Sequence, residues 1–339
     1  MKIDRVIRSV ERTHPRLGNM TAVNLIAALA RRCLVNIAPS GCGKSSVTNT
    51  LLNKLQPSLR TPSMTKSALR HYKDRLSGYV GLLVMDDLGA IDTEYSLIGT
   101  VSCLADLAYT HQAGKAIGPY AFQITNFHGS ILLNVQPVVW RKVVRSDAWE
   151  SVVRDKVIRY YHLYRPLEPV SAGPDMPDVD WVKPAEFPDK LYDTEAWRLL
   201  KANFEFQHSE ARAREHAREM ARALAGFERL KKVSERILEK LEELTRPMLV
   251  EAFLMTKRDL ESGRDFNHNL LCLLVEFASY GRGFELKRMC RDHQLSEKRL
   301  RQILQDYTEY AIVKMNRVYP TERTCKMLSY MGVDLGEPV

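Results

Sequence analysis

The stretch "NIAPSGCGKSS", residues 36–46, limits the fold more than any other part of the chain. An apolar run, "CLVNIA", enters it, and "KSSVTNTLLNKL" leaves it with Val47, Leu51, Leu52 and Leu55 on one helical face. The backbone must therefore pass from strand to helix within a few residues. Gly41 and Gly43 permit backbone angles that a side chain would forbid. In such a turn successive N–H groups point inward and the positive end of the next helix stands behind them, which makes a cradle for an anion. Gly43, Lys44 and Ser45 match the spacing Gly-x-x-x-x-Gly-Lys-Ser/Thr, with Ala38 in place of the first glycine. Alanine keeps that position small, and Pro39 stiffens the entry. The expected phosphate-binding residues are Pro39, Ser40, Gly41, Cys42, Gly43, Lys44, Ser45 and Ser46, with the Ser45 hydroxyl directed at a magnesium ion.

Further along, "TPSM" reads as strand or loop and "KSALRHYKDRL" as helix. "YVGLLVMDDLGAID" is a buried strand, "YSLIGTVSCLADLAYTHQ" a helix, and "PYAFQITNFHG" a strand reaching Asn126. "DAWESVVRDKVIRYYHLYRPL" gives a short helix and a last strand. Alternation of this kind predicts an α/β fold, a parallel sheet with helices on both faces, over residues 1–168. The 339 residues are 45% hydrophobic and 27% charged, the balance of an ordinary globular chain with two or three domains. No run approaches the ~18 apolar residues of a membrane span. The first residues lack the apolar core of a secretory signal. Six cysteines without a Cys-x-x-Cys spacing suggest reduced thiols in a cytoplasmic setting and make poor metal ligands.

Asp86 and Asp87 end the apolar strand "GLLVMDD", about forty residues beyond the glycine turn. Two adjacent carboxylates at a buried strand end repel one another unless a cation is shared. In a phosphate-loop ATPase the first acid holds magnesium through water and the second polarises the attacking water. ATP and Mg2+ are thus the expected cofactors, and ATP hydrolysis the expected reaction.

Residues 166–190 hold six prolines, so a linker is expected over 169–193. Over 194–265 the apolar positions Met220, Leu224, Phe227, Leu230, Ile237, Leu241 and Leu244 recur mostly at three- and four-residue steps. They predict a helical lid or connector, with a coiled-coil seam as the alternative. In 266–339, "NLLCLLVEFASY", "FELKRMCRDH" and "SEKRLRQILQDYTEY" read as three helices, with Ser296 as cap of the third. "AIVKMNRVYPTERTCKMLSYMG" adds a strand, a turn and a short helix, so this part is expected to be a winged helix-turn-helix domain. Residues 282–326 contain eleven Lys or Arg against six Asp or Glu, within a chain of net charge +9. Lys298, Arg299, Arg301 and Gln302 at the start of the third helix, with Arg317 and Arg323 beside the wing, are the expected contacts to duplex DNA. The alternative use of the same fold is docking a protein.

With these motifs in place, residues 20–165 resemble the additional-strand class of phosphate-loop ATPases, and within it the AAA+ group. "VMDDLG" is similar to the second motif of helicase loaders and insertion-sequence helper ATPases. The resemblance puts a sensor strand at "QITNFHG", with Asn126 or Thr125 reporting the γ-phosphate. It also implies a homo-oligomer with ATP at subunit interfaces and a charge supplied in trans. Arg154 is the leading candidate, and Lys156, Arg159, Arg141 and Arg145 remain open. The order of parts resembles archaeal-type replication initiators and plasmid or mobile-element ATPases. The function expected on this basis is a DNA-associated ATPase that assembles on or remodels DNA complexes in replication initiation, helicase loading or mobile-element and viral DNA processing. Its partner would be a helicase, a transposase or another replication protein. The alternatives are an ATP-gated switch whose winged helix docks a protein and a DNA-translocating or packaging motor.

Overall fold

Short, mostly apolar runs, each too brief to make a helix and buried on both sides except at one edge, build the central sheet. The structure is a computed structural model and describes residues 1–61, 68–91, 93–115, 121–167, 173–257 and 264–335. Two helices, α1 (Lys2–Thr13) and α2 (Gly18–Leu29), precede strand β1 (Cys33–Ile37). After the glycine turn come α3 (Lys44–Lys54), β2 (Ser58–Thr61), a 3-10 turn (Ala68–Tyr72), α4 (Lys73–Leu76) and β3 (Leu82–Met85). Next are α5 (Glu94–Thr110), β4 (Ala113–Lys115), β5 (Phe122–Ile124), β6 (Ser130–Val135) and α6 (Pro137–Val144). A short π-helix (Trp149–Val153) leads to β7 (Ile158–Tyr161). The sheet order is β2-β3-β6-β1-β7, with every pairing parallel.

Side-chain alternation divides each strand between two cores. Val35, Ile37, Leu83, Met85, Ile131 and Leu133 face α5 and α6. Leu34, Leu82, Val84, Leu132 and Ile158 face α1, α2 and the helices α7 (Glu195–Glu205), α8 (Glu210–Phe227) and α9 (Glu235–Thr245). The helical region packs over α1 and α2, in one core with this face of the sheet, rather than standing apart as a lid. Met220, Leu224, Ile237, Leu241 and Leu244 are wholly or almost wholly buried in that layer, while Leu230 turns to solvent.

Two further expectations need correction. The proline-rich segment from residue 173 lies along the body: Met176, Val179 and Ala185 are buried, and Trp181 Nε1 donates to the Gln56 carbonyl at 2.7 Å. It is a strap, and the boundary expected at 168/169 lies outside the described residues. The strand predicted to reach Asn126 is not in the central sheet. Instead β5 pairs antiparallel with β4 in a two-stranded ribbon, with Phe122 and Ile124 inward and Gln123 outward. The sheet position belongs to β6, "SILLNV", which is buried at every residue. A strand with one wet side cannot occupy a position covered on both faces.

The chain ends with α10 (Glu251–Leu254), a hairpin of β8 (Met255–Lys257) and β9 (Arg264–Phe266), and a C-terminal unit. The unit comprises α11 (His268–Tyr280), β10 (Phe284–Glu285), α12 (Leu286–Asp292), α13 (Glu297–Gln305), β11 (Ala311–Lys314), β12 (Arg317–Pro320) and α14 (Glu322–Tyr330). Its three strands form an antiparallel sheet in the order β10-β12-β11. Leu286, Met289, Leu300 and Leu304 are buried and Leu295 packs beside them, in one cluster with the α5/α6 side of the large sheet. Ser296 caps α13 by accepting from the Arg299 amide.

Candidate nucleotide site

The carboxyl ends of β1, β3 and β6 open into a cavity of about 710 Å³. Its lining includes Ser40, Gly41, Cys42, Gly43, Lys44, Ser45 and Ser46 from the glycine turn, with Asp86, Asp87 and Asn134 from the neighbouring strands. Open parallel sheets bind ligands at this edge because the loops that follow the strands converge there. Gly43 sits at φ +77°, and a Cβ there would lie 2.8 Å from Leu17 Cδ1, so neither its backbone nor its surroundings admit a side chain. Gly41 takes a similar angle, φ +75°.

Lys44 Nζ donates to the Ala38 carbonyl at 2.6 Å and the Pro39 carbonyl at 2.8 Å, so the ammonium is folded against its own loop. Pro39 itself is buried and contributes that carbonyl. Burial lowers the Lys44 pKa from the usual lysine value, and the nearby Cys42 and Asp87 oppose the shift. The Cys42 thiol is pushed up to about 11 by burial, which keeps it protonated and unreactive at neutral pH.

The two acids behave differently. Asp86 is almost covered, and its Oδ1 accepts from Asn134 Nδ2 at 3.0 Å and from Thr48 Oγ1 at 3.3 Å. Its Oδ2 pairs with Arg60, which also lines the cavity. Asp87 is exposed, and its Oδ1 accepts from the Gly89 amide at 2.8 Å, which fixes the carboxylate at the cavity edge. Asp86 is thus tied through Thr48 to α3, the helix that leaves the loop, and both acids line the same cavity as the loop.

Behind Asp86 runs a chain of buried amides that sequence reasoning missed. Asn134 Oδ1 accepts from Asn36 Nδ2 at 3.1 Å, and Asn36 exchanges two hydrogen bonds with Asn24 of α2, at 2.7 and 2.8 Å. The parallel register places Asn36 beside Asn134, and both side chains emerge on the α2 face of the sheet. Buried amides are costly unless paired, and here each is held by the next. Two asparagines within apolar strands, "LVNI" and "LLNV", were the available signal. Asn126, by contrast, is exposed in a left-handed turn (φ 54°) and does not line the cavity.

A metal ion would find hard oxygen donors in Ser45 and Asp86. No cluster of three His, Cys, Asp or Glu gathers among the described residues. A cation here would therefore need phosphate oxygens and water as further ligands, which is how magnesium enters nucleotide sites. The donor set fits that ion. Lys44, Arg60, Arg165 and Arg288 face Asp86 and Asp87 around the cavity, a surplus of cations that suits a polyphosphate.

The residues considered for action in trans all have partners within the chain. Arg154 pairs with Glu150 at 2.9 Å and Lys156 with Asp106 at 2.5 Å, while Arg141 and Arg145 both clamp Asp265. Arg159 is fully buried against Glu251, so it cannot reach another subunit. On the C-terminal unit, Lys298, Arg299 and Gln302 are exposed on α13, and Arg299 donates to Gln302 Oε1 at 3.0 Å. Arg301 pairs with Glu297 and donates to Asn316 at the β11–β12 turn, joining helix to hairpin. Arg317 donates to the Gly283 carbonyl at 3.2 Å, and Arg323 pairs with Glu309. Among the described residues no helix is long and apolar enough to cross a membrane. No protein-family model matches the chain, and no curated protein matches its sequence.

Proposed function

We propose that the chain is an ATP-hydrolysing protein of the additional-strand, AAA+-like class, whose C-terminal unit is a winged helix-turn-helix that contacts duplex DNA. The observation that carries this reading is the convergence of loop, lysine, acid pair and Asn134 on one cavity at the carboxyl edge of a parallel sheet. The strand order adds support. β6 lies between the strand that enters the loop and the strand that ends in the acids, the extra strand from which the class takes its name.

In this reading the loop amides and Lys44 hold the phosphates, Lys44 exchanging its two loop carbonyls for phosphate oxygens. A bound magnesium ion supplies charge neutralisation at the phosphates, and Ser45 and Asp86 are the residues that would hold it. Asp87, exposed and oriented by Gly89, accepts the proton of the attacking water. Asn134 takes the sensing role that the resemblance gave to Asn126, because it links the strand edge to Asp86. Arg154, with its half-solvated partner Glu150, remains the candidate for a neighbouring subunit's site in a homo-oligomer. Replication, helicase loading and mobile-element processing are the settings this architecture suits.

The deciding experiment is the ATPase rate with and without duplex and single-stranded DNA. Stimulation by duplex supports the reading, and no hydrolysis under any condition overturns it. A second reading, an ATP-gated switch that docks a partner protein, draws on one observation: Arg301 and Arg323 are already satisfied by carboxylates of their own unit. Hydrolysis indifferent to DNA would favour it.

A further inference from the structure

One wall of the candidate nucleotide cavity comes from the C-terminal unit. Tyr280 at the end of α11 and Arg288 on α12 line it, with the Arg288 guanidinium 3.6 Å from the centre of the Tyr280 ring. Between them and the glycine turn stands Arg165, just beyond β7 and also on the cavity wall. Its NH1 donates to the Ser40 carbonyl of the loop at 3.1 Å. Its Nε and NH2 hold Glu276 Oε1 of α11 at 2.9 and 2.8 Å, and NH2 lies 3.4 Å from His293 Nε2. His293 Nε2 is in turn 2.8 Å from Glu276 Oε1. The backbone is fastened as well: the Arg165 amide donates to Ser279 Oγ at 2.8 Å, and Arg16 NH1 donates to the carbonyls of Arg165 and Ser279.

Glu276 is completely buried, and its Oε2 accepts no hydrogen bond among the described residues. A buried carboxylate is costly to separate from its cation, so a shift of the Arg165 guanidinium pulls on Glu276 and through it on α11. The other end of the same guanidinium rests on a loop carbonyl, a few ångströms from where inward-pointing amides invite phosphate. A phosphate oxygen is the stronger acceptor, because the hydrogen bond it receives is charge-assisted.

We propose that Arg165 transmits nucleotide occupancy from the phosphate loop to the C-terminal unit. When a nucleoside triphosphate fills the loop, NH1 leaves the Ser40 carbonyl for a phosphate oxygen. Glu276 and His293 move with it, Arg288 turns from Tyr280 toward the same anion, and α11 and α12 lock onto the cavity. The proposal rests on the nucleotide reading above and names the regulation of that site. Linkage makes the effect reciprocal: whatever binds the locked C-terminal unit raises nucleotide affinity by the same factor.

The test is amide hydrogen exchange on the full chain with saturating ATPγS, alongside a binding isotherm for the same probe. Wild type should show exchange in residues 276–293 slowed about tenfold, within the range usual for such couplings. Arg165→Ala should bind ATPγS more weakly, as the loss of a charge-assisted phosphate contact requires, and at saturating ATPγS that protection should disappear. Glu276→Gln, which keeps the shape and removes the charge, serves if the arginine variant folds poorly and should lose the protection too. Protection in 276–293 that is absent from wild type, or undiminished in both variants although ATPγS binds, overturns the proposal. An isotherm showing no ATPγS binding to wild type marks a different failure: the nucleotide reading falls, and this proposal with it.

Discussion

The candidate nucleotide cavity and the basic face of the C-terminal unit both present cations, but they present them differently. Around the cavity, side chains from the glycine turn, β3, β6 and the exit of β7 meet in one space, and several are held by buried partners. On α13, the β11–β12 hairpin and the start of α14 the basic side chains face solvent, and Arg301 and Arg323 are balanced by neighbouring carboxylates. Convergence makes each group count, because the side chains meet in one space and several are held in place before a ligand arrives. A solvated face works by addition, each charge giving a small, salt-dependent share.

Single substitutions should separate the two. Asp87→Asn is expected to leave ATP binding intact and lower kcat about 10³-fold, the scale of a lost general base; a rate near wild type in a steady-state assay would remove Asp87 from the mechanism. Lys44→Ala should weaken ATP binding by about 10²-fold, as loss of a charge-assisted contact to phosphate implies, and calorimetry measures it. Asn134→Ala should cost about 10- to 100-fold in kcat, the scale for a residue that orients a ligating carboxylate, whereas Asn126→Ala should change nothing. If the two asparagine variants behaved alike, or in the reverse order, the choice between β6 and β5 for the sensing strand would be wrong.

That last pair shows where the sequence was legible and where it was not. The glycine turn and the acid pair could be picked out because each is a run of residues adjacent in the chain, and unbroken apolar runs marked β1 and β3 as central. The C-terminal helices were readable too, from their apolar spacing and the Ser296 cap. Asn134 was hidden because its meaning comes from register: only the pairing of β1 with β6 sets Asn36, Asn134 and Asp86 in a row. "AFQITNF" drew attention with its terminal asparagine, yet its alternation is that of a ribbon with one wet side. Arg165 was equally invisible, since Glu276 and His293 stand more than a hundred residues away. Proline spacing misled in another way, because a chain that cannot form regular structure can still bury Met176 and Val179 along a surface.

Acid should damage the layered body in a predictable direction. Burial holds His162 neutral, its pKa pushed down to about 3, with Lys44 adding to the effect, and takes His216 to about 4. His208, ringed by His216 and Arg159, is also driven well below the ordinary histidine value by burial. The unfolded chain takes up these protons near pH 6.5 and the folded chain does not, so stability is complete above about pH 6.5 and falls as pH drops toward the folded values. Each such histidine shifts the folding equilibrium roughly tenfold per pH unit across that window. Urea unfolding of wild type and His162→Gln between pH 6.5 and 4 should show a slope smaller by about one proton in the variant. Equal slopes would mean His162 is protonated in the folded protein.

The smallest effects belong to the basic face, and they carry the most information about what it touches. If Lys298 and Arg299 meet phosphates, replacing each with Gln should reduce the slope of log affinity against log salt by about 0.9, so that each variant's deficit in duplex binding is about threefold larger at 50 mM than at 200 mM salt. Arg301 offers a sharper version. Its guanidinium already serves Glu297 and Asn316, so as a structural tie it should affect thermal stability while leaving the salt slope untouched. As a DNA contact it should do the reverse. A slope unchanged in all three variants would assign this face to a protein partner, and the difference between the regions would then be one of ligand class rather than of how charge is arranged.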